Sequence, residues 1–215
     1  MAIDKFGIKE VADVKFYTVG DVKFNSSTGA LTLKDANVKP VLEFDTLKVS
    51  NLEFTGETAE ARGGKGNSVL LSWDHSREAT LTLEDALMSP KSLNTMLSSK
   101  TMTTAADGTL IISVDADGFP GTYTVVGKTF ARGTDGTDHV LTFLIFKAKV
   151  QAEASFEMSA DGDPSTLNMS LKVLRCDDNE KSMGCAKGDL IKLIIDENEA
   201  QTKNPTVAWP AYVTQ

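Results

Sequence analysis

Little in this chain of 215 residues is equipped for chemistry: it has two histidines and two cysteines. His75 lies in Trp73-Asp74-His75-Ser76, but neighbours along a strand point to opposite faces, so this Asp-His-Ser adjacency builds no triad. His139 stands alone beside Asp138, and no pair of acids converges at a recognisable spacing. The reading is a non-enzymatic protein with no catalytic, cofactor-binding or metal residues. Cys176 and Cys185 flank an acidic segment with neither histidine near it, which is no zinc pattern. Two reduced thiols are expected there, with a loop-closing disulfide as the alternative.

Long apolar runs are also missing. A stretch such as Leu190 to Ile195 is interrupted by Lys192 and is far too short to span a bilayer as a helix, so no membrane insertion is expected. Met1-Ala2-Ile3-Asp4-Lys5-Phe6 lacks a basic segment followed by an apolar one, which reads as no signal peptide and a cytoplasm-like compartment. Basic charge is in the minority: 22 Lys and Arg stand against 30 Asp and Glu, for a net charge of −8 and a pI near 4.8. That balance disfavours gripping phosphates, although an acidic surface beside DNA leaves the duplex free to move. Charge alone does not separate this reading from simple solubility.

Two further patterns dissolve on inspection. Ala61-Arg62-Gly63-Gly64-Lys65-Gly66-Asn67-Ser68 is glycine-rich, but its spacing is not that of a phosphate-cradling loop and a strand follows it. A tight turn whose glycines take positive φ is the better reading, and such a turn also lets two backbones approach closely. Asp115-Ala116-Asp117-Gly118 and Asp161-Gly162-Asp163 lack the remaining ligands of a calcium loop and read as turns.

What the chain does have is alternation. Phe146, Ala148, Val150, Ala152, Ala154, Phe156 and Met158 are apolar, while Lys147, Lys149, Gln151, Glu153, Ser155 and Glu157 are polar. This period of two predicts one long strand with a buried and a wet face, some ~40 Å against a usual ~20 Å. After a turn-forming loop over 159–166, Leu167, Met169, Leu171 and Val173 predict its partner. A long two-faced hairpin suits a wall with water on one side, and a pore is one such wall.

Elsewhere the expected elements are a peripheral stretch from Lys5 to Tyr17 and a hairpin over Lys23–Lys39 turning at Asn25–Gly29. Next come a strand from Val41 to Phe54, a polar loop from Thr55 to Ser68, and a strand from Val69 to Leu83. Ser89 as N-cap and Pro90 at the first helical position predict the one convincing helix. Shorter strands follow at Leu110–Val114, Tyr123–Phe130 and Leu190–Ile195. The whole reads as one mainly β domain over 1–215: a β-sandwich with one flanking α-helix, residues 1–40 forming an N-terminal arm and hairpin insertion. The segment 198–215 reads as a C-terminal arm, whose Trp209 and Tyr212 are expected to dock on something.

Three blocks together resemble bacteriophage tail tube (major tail) proteins: Glu60–Asn67, Arg77–Ser89 and Phe156–Leu167, within a resemblance running from Val41 to Leu174. The resemblance implies a structural virion protein whose six copies form a ring. The long strands of each copy would contribute to an intersubunit β-barrel around a channel, and the rings would stack into the tube that conducts DNA during ejection. DNA would pass without specific binding. It implies an inter-ring loop at Arg62, Gly63, Gly64, Lys65, Gly66 and Asn67, and a C-terminal arm contact through Trp209 and Tyr212. Lys147, Lys149, Glu153 and Glu157 are the candidates to face the lumen, with Lys147 and Lys149 pairing with a neighbour's carboxylates. Other tail proteins (tip or baseplate, terminator, possibly sheath) are the implied partners, in the virion and in the host cytoplasm during assembly. The 23–39 hairpin and the segment 176–187 depart from compact members and suit surface decoration or a sheath contact. The competing reading is another phage structural β-protein, a capsid decoration or neck-ring protein.

Overall fold

The computed structural model describes residues 5–8, 10–97, 101–114, 116–134, 136–151, 166–201 and 209–210. The first elements are β1 (Phe6–Ile8), β2 (Asp13–Thr18), β3 (Val22–Phe24), β4 (Leu31–Leu33), β5 (Leu42–Phe44), β6 (Leu47–Gly63) and β7 (Ser68–Asp85). The helix α1 (Pro90–Leu97) follows, then β8 (Thr101–Thr104), β9 (Leu110–Ser113), β10 (Thr122–Gly133), β11 (Asp138–Val150) and β12 (Leu167–Val173). A short 3-10 helix (Asp178–Met183) and β13 (Ile191–Gln201) close the sequence of elements.

One large antiparallel sheet dominates, in the order β5-β2-β10-β11-β12-β7-β6, with β1 added on β10 and β13 on β11. It folds over on itself. Leu42 and Phe44 of β5 share a core with Leu81 and Leu83 of β7, together with Phe16, Val125, Ile145, Met169 and Leu171. A second core on the opposite side of β10 and β11 holds Tyr17, Val22, Val126, Leu144, Phe146, Cys176, Met183 and Cys185. Both cysteines are buried free thiols packed as small apolar groups.

Placing β10 and β11 between two cores explains their composition. From Val140 to Phe146 every residue is buried, as expected of a strand covered on both faces. The wet face predicted for this ribbon therefore begins only at its C-terminal end. The predicted alternation also breaks there. Tyr123 pairs with Ala148 but Val125 with Ile145, so Thr124 faces both Phe146 and Lys147. This bulge reverses the side on which alternate residues fall. Phe146 packs in the second core, whereas Ala148 and Val150 pack in the first. The Thr124 hydroxyl donates a 2.8 Å bond to the Phe146 carbonyl, occupying an acceptor that the bulge takes out of the ladder. Residues 152–158, the rest of the predicted strand, lie outside the described residues.

Three other expectations change. The stretch Lys5 to Tyr17, expected to be peripheral, contains β2, which pairs with β10 and buries Val14, Phe16 and Tyr17. The single strand Val41–Phe54 is two, separated at Asp45 and Thr46. The polar loop Thr55–Ser68 is mostly strand: β6 runs to Gly63, and β7 starts at Ser68. The 23–39 hairpin forms as β3 and β4, and α1 starts at Pro90 with the Ser92 amide donating to the Ser89 hydroxyl oxygen at 2.9 Å. Leu93 and Met96 make its apolar contact, but Ala86 and Leu87 precede the helix and Leu87 is exposed.

Gly127 carries a packing role. It lies directly across from Phe143, and a Cβ there would fall 2.0 Å from the Phe143 ring. Gly127→Ala should cost about 1–3 kcal/mol through overpacking, with Phe143→Leu in the same chain recovering part of it, as read by urea unfolding. Burial, with a smaller contribution from Glu43, pushes the Tyr17 phenol up to about 12 from its ordinary 10. The folded state then holds this proton where the unfolded chain releases it, so stability falls as pH rises from about 10 to about 12. Tyr17→Phe should flatten that fall in a pH series of unfolding midpoints.

Candidate assembly interface

The alternation predicted as a wall is carried by β6, β7, β12 and the end of β11. Cross-strand register aligns Lys149, Lys172, Thr80 and Glu53 in one row, and Ser170, Thr82 and Asn51 in the next. Asn168, Glu84 and Val49 form a third. These residues are exposed or half-buried, while Val150, Leu171, Leu81 and Leu52, one position along, point into the first core. The strands thus form a plate with a dry face and a broad, polar wet face. Lys172 is held at 2.9 Å from Glu78 on this face.

Beyond the plate, β6 and β7 continue as an isolated two-stranded arm. Its base is a bulge: Thr55 pairs with Glu78 but Glu57 with His75, so Gly56 faces both Ser76 and Arg77. Ser76 takes φ +55°, a left-handed conformation that costs a non-glycine residue energy and kinks the strand. Arg77 lies 5.6 Å over the Phe54 ring at this corner. Past it, the pattern of the arm inverts. On β6, the even residues Leu52 and Phe54 are apolar below the bulge, and the odd residues Ala59 and Ala61 are apolar above it. Ala59 pairs with Trp73 and Ala61 with Leu71, making an apolar stripe. Trp73 and Leu71 on it are 52% and 66% exposed, and Leu70, left unpaired at a further register shift beside it, is 64% exposed. The reverse side is polar apart from Val69 opposite Arg62, with Thr58 bonded to Asp74 at 2.8 Å and Arg62 to Glu60 at 2.6 Å.

The glycine-rich segment is the tip of this arm. Arg62 and Gly63 end β6, and Gly64, Lys65, Gly66 and Asn67 form the turn, closed by the Asn67 amide on the Gly64 carbonyl at 3.2 Å. Gly64, Gly66 and Asn67 have φ of +81°, +96° and +51°, which explains the composition. A two-stranded ribbon exposing a Trp and two Leu is marginal alone in water. Such a surface marks an interaction site.

The lysines read together in the sequence separate in space. Lys147 is engaged within its own chain, 3.0 Å from Glu180 and 3.8 Å from Asp177, with side chains 21% and 12% exposed for the closer pair. The Glu180 hydrogen bond holds its ammonium pKa above the ordinary value. Lys149 is exposed on the wet face, and among the described residues no carboxylate pairs with it. Glu153, Glu157 and Tyr212 lie outside the described residues. Trp209 docks on its own chain against the second core, with Lys15 4.5 Å and Lys128 5.9 Å from its ring centroid. Sequence reasoning missed Trp73, Leu71 and the bulge at Ser76. The signal for them was the apolar parity switching from even to odd along Leu52–Ala61. Lys147→Ala should cost the isolated subunit about 1–3 kcal/mol by breaking a charge-assisted bond, and Lys149→Ala less than about 0.5 kcal/mol, in urea unfolding.

Among the described residues no group of three or more metal-capable side chains converges, and no helix is long and apolar enough to cross a membrane. No curated protein matches the chain. Among solved structures, a chain from the "Cryo-EM structure of the anti-feeding prophage (AFP) baseplate, 6-fold symmetrised" is similar over 90% of this chain and 97% of that one, at 16% identity and a TM-score of 0.44. A family model, the YomU/Tube protein family, matches over residues 23–107 and 94–186. With most of its length inside that match, the plate and its arm included, the chain belongs to the YomU/Tube protein family and is a phage tail tube-type structural protein.

Proposed function

We propose that copies of this chain pack side by side into rings of six, that the rings stack into a tube, and that the wet faces line a channel through which phage DNA leaves. The observation that carries this reading is the plate itself: adjoining strands with one face packed in the subunit's core and the other polar but for Val49. Four strands, β6, β7, β12 and the end of β11, alternate in direction, so β6 runs antiparallel to β11. β10 holds the outer edge of β11 as far as Lys149, which pairs with Thr122, so a second copy's β6 would meet this side of the plate beyond that point. Repeated around a ring, the contact closes and leaves no free edge.

The wall of such a channel suits a mobile duplex. Its described charges are mixed, with Glu53, Glu78 and Glu84 against Lys149 and Lys172, and its remaining residues are Thr, Ser and Asn with one exposed Val, Val49. On the alternation of the sequence, Glu153 and Glu157 are assigned to the same wall. A net charge of −8 per copy opposes lasting adhesion of phosphates. Specific DNA binding would need clustered cations, which this face lacks.

The arm is assigned to the contact between successive rings, its apolar stripe seated on a copy in the next ring and Arg62 to Asn67 at its tip. Chain ends of the tube would meet other tail proteins (tip or baseplate, terminator, possibly sheath). The test is negative-stain imaging of the purified protein, where rings or tubes with a central hole are expected and monomers or solid particles would count against the reading. The variant Leu71→Ser/Trp73→Ser, or removal of Gly63 to Asn67, should leave subunits with unchanged circular dichroism that form no tubes. Tubes of ordinary length from either variant would remove the arm from the contact.

A further inference from the structure

The arm has a counterpart elsewhere in the subunit. β8 and β9 form a two-stranded sheet of their own, turning over Ala105 to Thr109. Their register pairs Met102 with Ile112, Thr103 with Ile111 and Thr104 with Leu110. Cross-strand partners and residues two apart share a face, so Met102, Ile112, Leu110 and Thr104 lie on one side of this ribbon. Met102 and Leu110 are exposed, Ile112 is half-buried, and Val114, next in the alternation, is exposed as well. None of these four apolar residues packs against either core. An apolar face that its own chain leaves uncovered is a contact surface.

The occupant follows from where the ribbon is attached. The chain enters it from the end of β7 at Asp85 through α1, whose Leu93 and Met96 rest on the first core. It leaves toward β10, where the Gly121 carbonyl accepts the Val150 amide at 3.3 Å. Val150 belongs to one row of the plate with Leu171, Leu81 and Leu52. The arm begins beyond Glu78, on the other side of that row from Asp85. Both attachments are therefore on the body, away from the arm. A copy stacked in the same orientation brings this end of its body to the arm of the copy before it. Such a head-to-tail contact repeats without closing and makes a filament.

The two faces also match. The arm's stripe is two cross-strand pairs long, Ala59 with Trp73 and Ala61 with Leu71, small residues on one strand and large ones on the other. The ribbon's face is two pairs long as well, and facing sheets interdigitate large side chains with small ones. The turns are opposite in charge. Among the described residues, Lys65 in the arm's turn pairs with no carboxylate and Asp107 in the ribbon's turn pairs with no cation. The Thr109 amide holds the Asp107 carboxyl below its ordinary pKa, so it carries its charge at neutral pH. Along β6 the arm's stripe starts two residues farther from its turn than the ribbon's does along β8, about 7 Å. With the stripes superposed, that offset leaves Asp107 within reach of the Lys65 side chain.

We propose that the β8–β9 ribbon is the seat for the arm of a copy in the adjoining ring, with Met102, Leu110 and Ile112 covering Leu71 and Trp73 and with Asp107 beside Lys65. The proposal rests on the assignment of the arm to the ring-to-ring contact and deepens it by naming the surface that receives it.

Stacking of preformed rings tests the seat. Met102→Ser/Leu110→Ser lies outside both cores, so its subunits should keep the wild-type urea midpoint and form rings that do not lengthen into tubes. Its rings still carry arms, and rings of Leu71→Ser/Trp73→Ser still carry seats. Mixed after assembly, the two should form pairs of rings and nothing longer, seen as doubled disks in negative stain. Lys65→Asp and Asp107→Lys should each raise the critical concentration for tubes about 3-fold, as exposed ion pairs do, and the double variant should return it to near the wild-type value. An exchange that restores nothing would remove the Lys65–Asp107 contact. Ordinary tubes from the Met102→Ser/Leu110→Ser variant, a loss of its rings as well as its tubes, or mixed rings that stay single would overturn the seat and leave the arm's own assignment standing. Ordinary tubes from the Leu71→Ser/Trp73→Ser variant would bring down both.

Discussion

The pleat of a strand allows its two faces to be separate chemical environments, and this protein depends on keeping them separate over part of its sheet only. Where β10 and β11 run between two cores, both faces are apolar and the strand is an ordinary interior one. Where β11 passes Phe146 and meets β12, one face loses its cover and the alternation becomes polar against apolar. The plate of β6, β7, β12 and the end of β11 follows from that change. Its dry side belongs to the subunit, and its wet side is exposed for use by an assembly.

Two bulges manage the transitions. At Thr124 the extra residue in β11 lets Phe146 remain in the second core while Ala148 and Val150 turn into the first. Without it, either Phe146 would meet the wrong core or Lys147 would be driven inward, away from Glu180. At Gly56 the extra residue in β7 separates plate from arm and reverses which side is apolar. The arm's stripe of Ala59, Ala61, Leu71 and Trp73 is therefore no continuation of the subunit's own core. It is an exposed apolar surface, the one the proposed ring-to-ring contact would cover, carried on a ribbon whose other side has already satisfied its charges internally. Both bulges have the same physical effect, and one serves folding while the other serves contact.

Much of the plate was legible in the sequence because period two is a direct consequence of strand geometry. Leu167 to Val173 and Ala79 to Leu83 alternate as read, and the helix start at Ser89 and Pro90 follows from capping chemistry. What was not legible depends on pairing. A bulge adds a residue to one strand relative to its partner, and a sequence read one strand at a time has no partner to count against. For that reason Phe146, Ala148 and Val150 looked like one face, and Lys147 looked like a neighbour of Lys149 in function as well as position. The exposed stripe of the arm failed for another reason: Thr55 to Arg62 is rich in Thr, Glu and Gly, which as single residues suggest a loop. Only the pairing with Leu71 and Trp73 gives the segment a strand's identity. Trp209 marks the opposite limit, since an aromatic near a chain end signals docking without saying on which chain.

A strand of 17 residues on a sheet edge, continued into an apolar ribbon, is hazardous for a protein that must first exist as a free subunit. Indiscriminate pairing along β6 would give aggregates as readily as ordered seams. The chain answers this through charge and geometry together. The left-handed Ser76 and the extra residue it sits beside in β7 interrupt the ladder that supports β6 at Gly56, so the edge is not one uninterrupted template. Glu53 and Glu57 stand exposed on β6, so two β6 edges approaching one another bring like charges together. Self-repulsion at this border makes a head-to-head pairing of two β6 strands costly. In the proposed ring, the same negative charge that opposes two β6 edges would disfavour a two-fold contact between copies.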